Sequence, residues 1–344
     1  MRHRHSLGVL ALLLAVTLAP RARALSPAEL AIIINVDDPA SVDTGEYYRA
    51  RRQVPAANVI RIHLGPPQQN LAPADFEDAQ RQVKAATSPA VQAYALAWTL
   101  PYRVGCMSIS SAFAFGYGTR FCATGCKPTA PNPFFDSASR TPYQDFRMRP
   151  TMLLAGTTPD NVHQLIERGA HSDASLPRGR AYLVITHDTA RNSRSPLFPA
   201  IRAMYSPAIP VDIIEADGIR NRFDVMFYFT GTTAVPGLET LGFLPGAVAD
   251  HLTSAGGQLD GHGQMSALRW LEAGATGSYG SVVEPCNFPQ KFPNPGLVLK
   301  YYLAGESLIE AYWKSVVWPG QGVFIGEPLA APFRARTNSQ TPTH

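Results

Sequence analysis

Ala181-Tyr182-Leu183-Val184-Ile185-Thr186 is an unbroken apolar run between Arg180 and His187. A strand with one wet face alternates polar and apolar residues. A run without alternation reads as a strand covered on both faces, as parallel sheets are. Polar residues follow at once (Asp188, Arg191, Asn192, Arg194), and then a helical pattern over 196–205. Strand, loop, helix is the repeating unit of an open α/β sheet. The pattern continues with strands at 211–215, 224–230 and 246–253, a helix at 264–273, a strand at 276–283, a long helix at 295–317 and a last strand at 322–325.

The same alternation runs toward the N terminus. Leu30 to Val36 reads as a buried strand. A helix at 41–53 stops before Pro55, a strand follows at 59–64, then a helix at 74–86 and a third strand within 91–104. A further helix is expected at 158–170. Residues 105–150 break the pattern and hold three of the four cysteines. A loop of that length in a compact chain is functional or stapled. The fold class is therefore α/β, a mostly parallel sheet with flanking helices. The expected parts are 25–150, with the long loop at 105–150, then 151–333, then a loose tail at 334–344.

Residues 1–24 read as a cleavable export signal. Arg2 and Arg4 form a basic start, Leu7 to Leu18 is apolar, and Ala22-Arg23-Ala24 presents small residues at the two positions that a signal peptidase reads. The apolar run is shorter than the ~20 residues a membrane helix needs, so the mature chain is not expected to be an integral membrane protein. Of the 30 Lys and Arg, four (Arg2, Arg4, Arg21, Arg23) lie in this leader, and none of the 26 Asp and Glu do. The mature chain thus carries 26 of each, and the net charge of +4 belongs to the leader. No concentrated basic field remains for nucleic acid. The expected location is periplasmic or secreted.

In an oxidising compartment, Cys106, Cys122, Cys126 and Cys286 are expected to form disulfides. Three pairings are possible. The tight loop around Gly125 favours Cys122–Cys126, leaving Cys106–Cys286 to join the two parts. No closely spaced cysteine ladder suggests a metal, and no motif suggests a cofactor: the glycine-rich stretch 274–280 lacks the Lys-Ser/Thr of a phosphate-binding loop.

Asn58-Val59-Ile60, Pro101-Tyr102-Arg103, the run Phe243 to Ser254, Ala273 to Ser278 and Val282 to Asn287 resemble a family of exported bacterial proteins. That family occurs in species with the exosortase system, which sorts exported proteins bearing a PEP-CTERM tail. The resemblance implies co-occurrence with surface-protein sorting and exopolysaccharide production, and implies no reaction. Partners would then be exported proteins or polysaccharide of that system. Residues 178–330 also resemble, in the order of their elements, the caspase and gingipain type of cysteine peptidase. Phe324-Ile-Gly-Glu-Pro-Leu329 resembles the Gly-Asp-Pro segment after the long helix there. That resemblance implies a His-Gly pair at Thr230-Gly231 and a nucleophilic Cys near Ser254. Both catalytic residues are replaced, which implies the fold without that chemistry, a pseudoenzyme.

Other chemistry has to come from what remains. Asp250, His251 and Ser254 cannot form a triad within one strand, because successive side chains face opposite sides. Ser254 as nucleophile needs a base from elsewhere, and His187, at the end of its strand, is the candidate. Strand ends are where open α/β sheets bind ligands. Asp188, Arg191 and Asn192 are candidate binding residues beside it, the arginines suited to a carboxylate or phosphate. Thr230, Gly231 and Glu284 end neighbouring strands and complete the list; Glu284 reads equally as part of a turn held by Pro285 and a Cys286 disulfide. Gly261-His262-Gly263 reads as a turn. Tyr47, Tyr48, Phe113, Phe115, Tyr117, Phe121, Phe134 and Phe135 line a sugar or peptide groove, or anchor the core. Three functions stand open: a binding or accessory protein, a serine-type hydrolase, and a structural envelope protein.

Overall fold

The computed structural model describes residues 23–123, 125–261 and 263–335. Residues 1–22, Thr124, His262 and residues 336–344 lie outside them, and with them most of the expected leader (1–24), the His262 turn and most of the expected tail (334–344). Among the described residues thirteen strands form: Leu30–Asn35 (β1), Val59–Ile62 (β2), Asn70–Leu71 (β3), Ala93–Leu96 (β4), Arg103–Val104 (β5), Met107–Ser108 (β6), Thr151–Leu153 (β7), Arg180–Ile185 (β8), Val211–Glu215 (β9), Arg222–Gly231 (β10), Leu241–Leu252 (β11), Gly277–Ser281 (β12) and Gly322–Gly326 (β13). The helices are Pro39–Arg52 (α1), Pro73–Ala86 (α2), Ile109–Phe115 (α3), Pro142–Phe146 (α4), Pro159–Ser172 (α5), Phe198–Tyr205 (α6), Leu268–Glu272 (α7), Pro295–Leu303 (α8) and Leu308–Trp313 (α9).

Ten strands make one sheet in the order β2-β1-β4-β7-β13-β12-β11-β10-β8-β9. Every pairing is parallel except β12 with β13. The strands on either side of that antiparallel pair therefore run in opposite directions. The carboxyl ends of β8, β10, β11 and β12 share one edge, and those of β1, β4 and β7 the other. The α/β class read from the apolar runs is the class of the chain.

Alternation explains why both faces are covered. In β1, Leu30, Ile32 and Ile34 join one core, with Tyr48 of α1 and Ile166 of α5. Ala31 and Ile33 join the other, with Phe76 and Val83 of α2. In β10, Phe227 and Phe229 face the first core, while Tyr228 packs on Trp270 on the opposite side; a register shift between Val225 and Phe227 puts Val225 with Tyr228. A period of two in a fully apolar strand feeds two cores at once.

Charged groups brace this frame from inside. Glu327, just past β13, is fully buried. It pairs with Arg52 of α1 and accepts from Tyr48 Oη at 2.5 Å. Arg52 also holds Asp173 at 2.6 Å. The Gly326-Glu327-Pro328 segment thus ties α1 and α5 to the centre of the sheet.

Several expectations are corrected. The long helix at 295–317 is two helices: Gly305 takes φ +97°, and Ser307 and Glu310 form a capping box that starts α9. The helix at 264–273 shortens to α7, because Gln264 and Met265 bond to the end of β11 instead. Residues 105–150 contain α3 and α4. The disulfides are Cys106–Cys122 and Cys126–Cys286, with Cα separations of 5.4 and 5.3 Å, replacing the Cys122–Cys126 and Cys106–Cys286 pairing. The β5–β6 turn carrying Cys106 packs beside the turn before Cys122, so tertiary contact decides the partner.

Candidate functional site

The loop after β8 is closed by its own side chains. Asn192 Nδ2 donates to the Thr186 carbonyl at 2.6 Å, and Asn192 Oδ1 accepts from Thr186 N at 3.2 Å. Thr186 Oγ1 donates to the Gly231 carbonyl at 2.6 Å, joining β8 to β10. The loop then crosses the end of β10. A Cβ on Gly231 would sit 1.9 Å from the Arg191 carbonyl oxygen, so this position admits only glycine.

The two arginines of this loop take different partners. Arg191 Nη1 lies 2.8 Å from Asp188 Oδ2, and its Nε donates to Thr253 Oγ1 at 3.3 Å. Arg194 turns inward and is buried. Its Nη1 is 2.6 Å from Asp250 Oδ1, and its Nη2 donates to the Thr230 carbonyl at 2.7 Å. Burial pushes the Asp250 carboxyl up to about 6, against the pull of Arg194. Arg194 is thus an internal brace of β10 and β11, and Arg191 alone of the pair stays at the surface.

Thr230 is buried, and its hydroxyl has no hydrogen-bond partner among the described residues. One strand over, His251 is fully buried. Trp270 Nε1 donates to His251 Nδ1 at 2.9 Å, and His251 Nε2 donates to the Met265 carbonyl at 3.0 Å. A neutral imidazole accepts at one nitrogen and donates from the other, so both are in use. Burial drives its pKa down to about 4.

Beyond β11 the chain folds over β12. Gln264 Oε1 accepts from Thr253 Oγ1 at 2.7 Å and from Ala255 N at 2.8 Å. Gly257 N donates to the Ser281 carbonyl at 2.9 Å, and a Cβ on Gly280 would come within 2.3 Å of Gly257 N. Small residues in β12 are thus required by the turn resting on it.

Ser254 stands at the rim of this turn, half-buried. His187 is exposed, and its Nδ1 is held by Asp217 at 3.0 Å. β10 lies between β8 and β11, which separates the two strand axes by roughly 10 Å. No hydrogen bond joins Ser254 to an imidazole among the described residues. Glu284 is exposed and accepts from Cys286 N at 2.7 Å, in a turn where Cys286 and Asn287 take positive φ. Of the aromatics, Tyr48, Phe113, Phe121 and Phe134 are buried core residues; Tyr47 stacks on His163 and Phe115 on Phe121. An open depression of about 420 Å³ lies at the other edge, beside Arg180, Ile209 and Asp224. The Arg194–Asp250 contact carries one signal in the sequence, Asp250 as a charge inside an apolar strand; the Gln264 contacts carry none.

No family model matches the chain, and no curated protein does. Among solved structures, the complex of the pro- and mature domains of RgpB from Porphyromonas gingivalis is similar over 88% of this chain and 79% of that one, at 9% identity and a TM-score of 0.47. No helix among the described residues is long and apolar enough to cross a membrane.

Proposed function

We propose that the protein is an exported accessory or binding protein that carries out no hydrolysis at the Ser254 edge. The observation that carries this reading is His251. The imidazole nearest Ser254 in sequence is sealed between Trp270 and Met265 as a neutral ring, so it has no lone pair left to take a hydroxyl proton. His187, the other candidate, ends β8, with β10 lying between it and the β11 end that carries Ser254, roughly 10 Å between strand axes.

Two disulfides suit an oxidising compartment, periplasmic or secreted. The resemblance to exosortase-linked proteins supplies the partners: exported proteins bearing a PEP-CTERM tail, or the accompanying exopolysaccharide. The surface offered is the rim formed by Asp188, Arg191, Ser254 and Glu284.

The test pairs a covalent probe with a binding measurement. The mature chain is incubated with an alkyl fluorophosphonate and weighed by mass spectrometry. Its melting is then followed with a synthetic PEP-CTERM tail peptide and with purified exopolysaccharide. No adduct is expected, together with a rise in Tm in one ligand. An adduct that disappears in Ser254→Ala would restore the serine hydrolase. No rise with either ligand would leave a structural envelope protein.

A further inference from the structure

Leu25 N donates to Glu310 Oε2 at 3.0 Å, in a buried contact. Leu25 and Ala24 are both buried, and Leu25 belongs to the main core. The same Glu310 oxygen accepts from Ser307 N at 2.9 Å and from Ser307 Oγ at 2.5 Å. Beside it, Lys314 Nζ donates to Glu306 Oε1 at 2.8 Å, and both groups are buried.

The charges at this place do not balance. Glu306 and Glu310 bring two carboxylates, and Lys314 one ammonium. A buried charge without a counter-charge is costly. Burial lifts the Glu306 carboxyl to about 7, and Glu310 adds to that effect while Lys314 and Arg140 oppose it. Arg140 is exposed. Among the described residues near the chain start, Arg23 and Glu29 pair at 3.3 Å, and Asp136, which also feels Lys314, is held by Lys300 at 2.6 Å.

The missing cation is supplied by one cut. Ala22-Arg23-Ala24 places the expected cleavage after Ala24, which frees the nitrogen of Leu25. That nitrogen is the one already aimed at Glu310. We propose that the chain is processed between Ala24 and Leu25, and that the new α-ammonium forms a buried ion pair with Glu310 that completes the fold. This rests on the export reading above. An amide N–H becomes –NH3+ in the same position, so a neutral donor becomes a charge-assisted one. Because the Ala24–Leu25 bond is buried in the folded chain, cleavage comes before folding is complete.

The ion pair has a pH signature. A free α-amine ordinarily titrates at about 8. Glu310 raises that value in the folded chain, since it favours the charged form. The added stability is therefore present below about pH 8 and is lost as pH rises through the raised folded value.

The experiment has two parts. N-terminal sequencing of the exported chain is expected to begin at Leu25; any other first residue overturns the processing. The chain beginning at Leu25 is then compared with the same chain acetylated at Leu25, and with one retaining Arg23-Ala24. At pH 7 the free amine is expected to melt higher by about 3 °C or more, with the gap closing above pH 9. In Glu310→Gln the gap is expected to vanish at all pH values, which separates the ion pair from loss of the helix cap. Equal melting of free and acetylated chains would overturn the ion pair. Because the Leu25 chain can be made directly, a failure of export leaves this second part intact.

Discussion

The guanidinium of Arg194 lies 2.6 Å from the carboxylate of Asp250, and neither side chain meets solvent. The pair reaches from the loop after β8 to the middle of the sheet. It fixes where that loop can go, and so fixes what the strand ends can expose.

Removing one partner should therefore cost more than removing both. Asp250→Ala is expected to lose about 3–5 kcal/mol, because it strands a buried guanidinium. Arg194→Met with Asp250→Leu is expected to recover a good part of that loss. Urea unfolding of the three chains measures it; an Asp250→Ala chain as stable as the parent would reject the brace.

His251 should stay neutral until about pH 4, because burial lowers its pKa. Between its unfolded value of about 6.5 and that folded value the unfolded chain binds the extra proton. Stability attributable to His251 thus falls as pH drops through this window, by about 3 kcal/mol in all. Asp250 and Glu306, raised by burial, act in the opposite direction. The difference between the parent and His251→Gln isolates the imidazole. Ring nitrogen resonances should show the Nε2–H form at pH 6 and no protonation down to pH 5.

Peptide mapping under non-reducing conditions should recover Cys106 with Cys122 and Cys126 with Cys286. The second bridge spans 160 residues of sequence and the first 16. Closing the longer loop removes more freedom from the unfolded chain, about 5 against about 3 kcal/mol. Cys126→Ser with Cys286→Ser should accordingly lower the urea midpoint further than Cys106→Ser with Cys122→Ser. The reverse order would contradict the loop-entropy account.

Gly231→Ala should push the 186–194 loop off the sheet, since the new methyl meets the Arg191 carbonyl. The expected result is a lower Tm and new proteolytic nicking within 187–194. An unchanged digestion pattern would mean that the loop is not seated there.

The sequence by itself determined the sheet and most of its helices. Runs such as Leu30 to Ile34 and Val225 to Phe229 are apolar on both faces, and only a covered strand accommodates that. It also exposed the breaks that glycine and proline impose locally, such as Pro55. The pattern over 295–317 reads as one helix because Gly305 is tolerable within a helix on propensity alone; its φ of +97° comes from the tertiary path. Strand β7, three residues long, has no period to read. The site was decided by tertiary structure alone. Arg194 and Asp250 are partners because strands far apart in sequence become neighbours, at a spacing of about 5 Å per strand; Cys106 and Cys122, and Trp270 and His251, meet because a turn and helix α7 fold back onto the preceding elements. Whether His251 is a base or a sealed core residue depends on which groups arrive at its two nitrogens, and no local pattern in the chain encodes that.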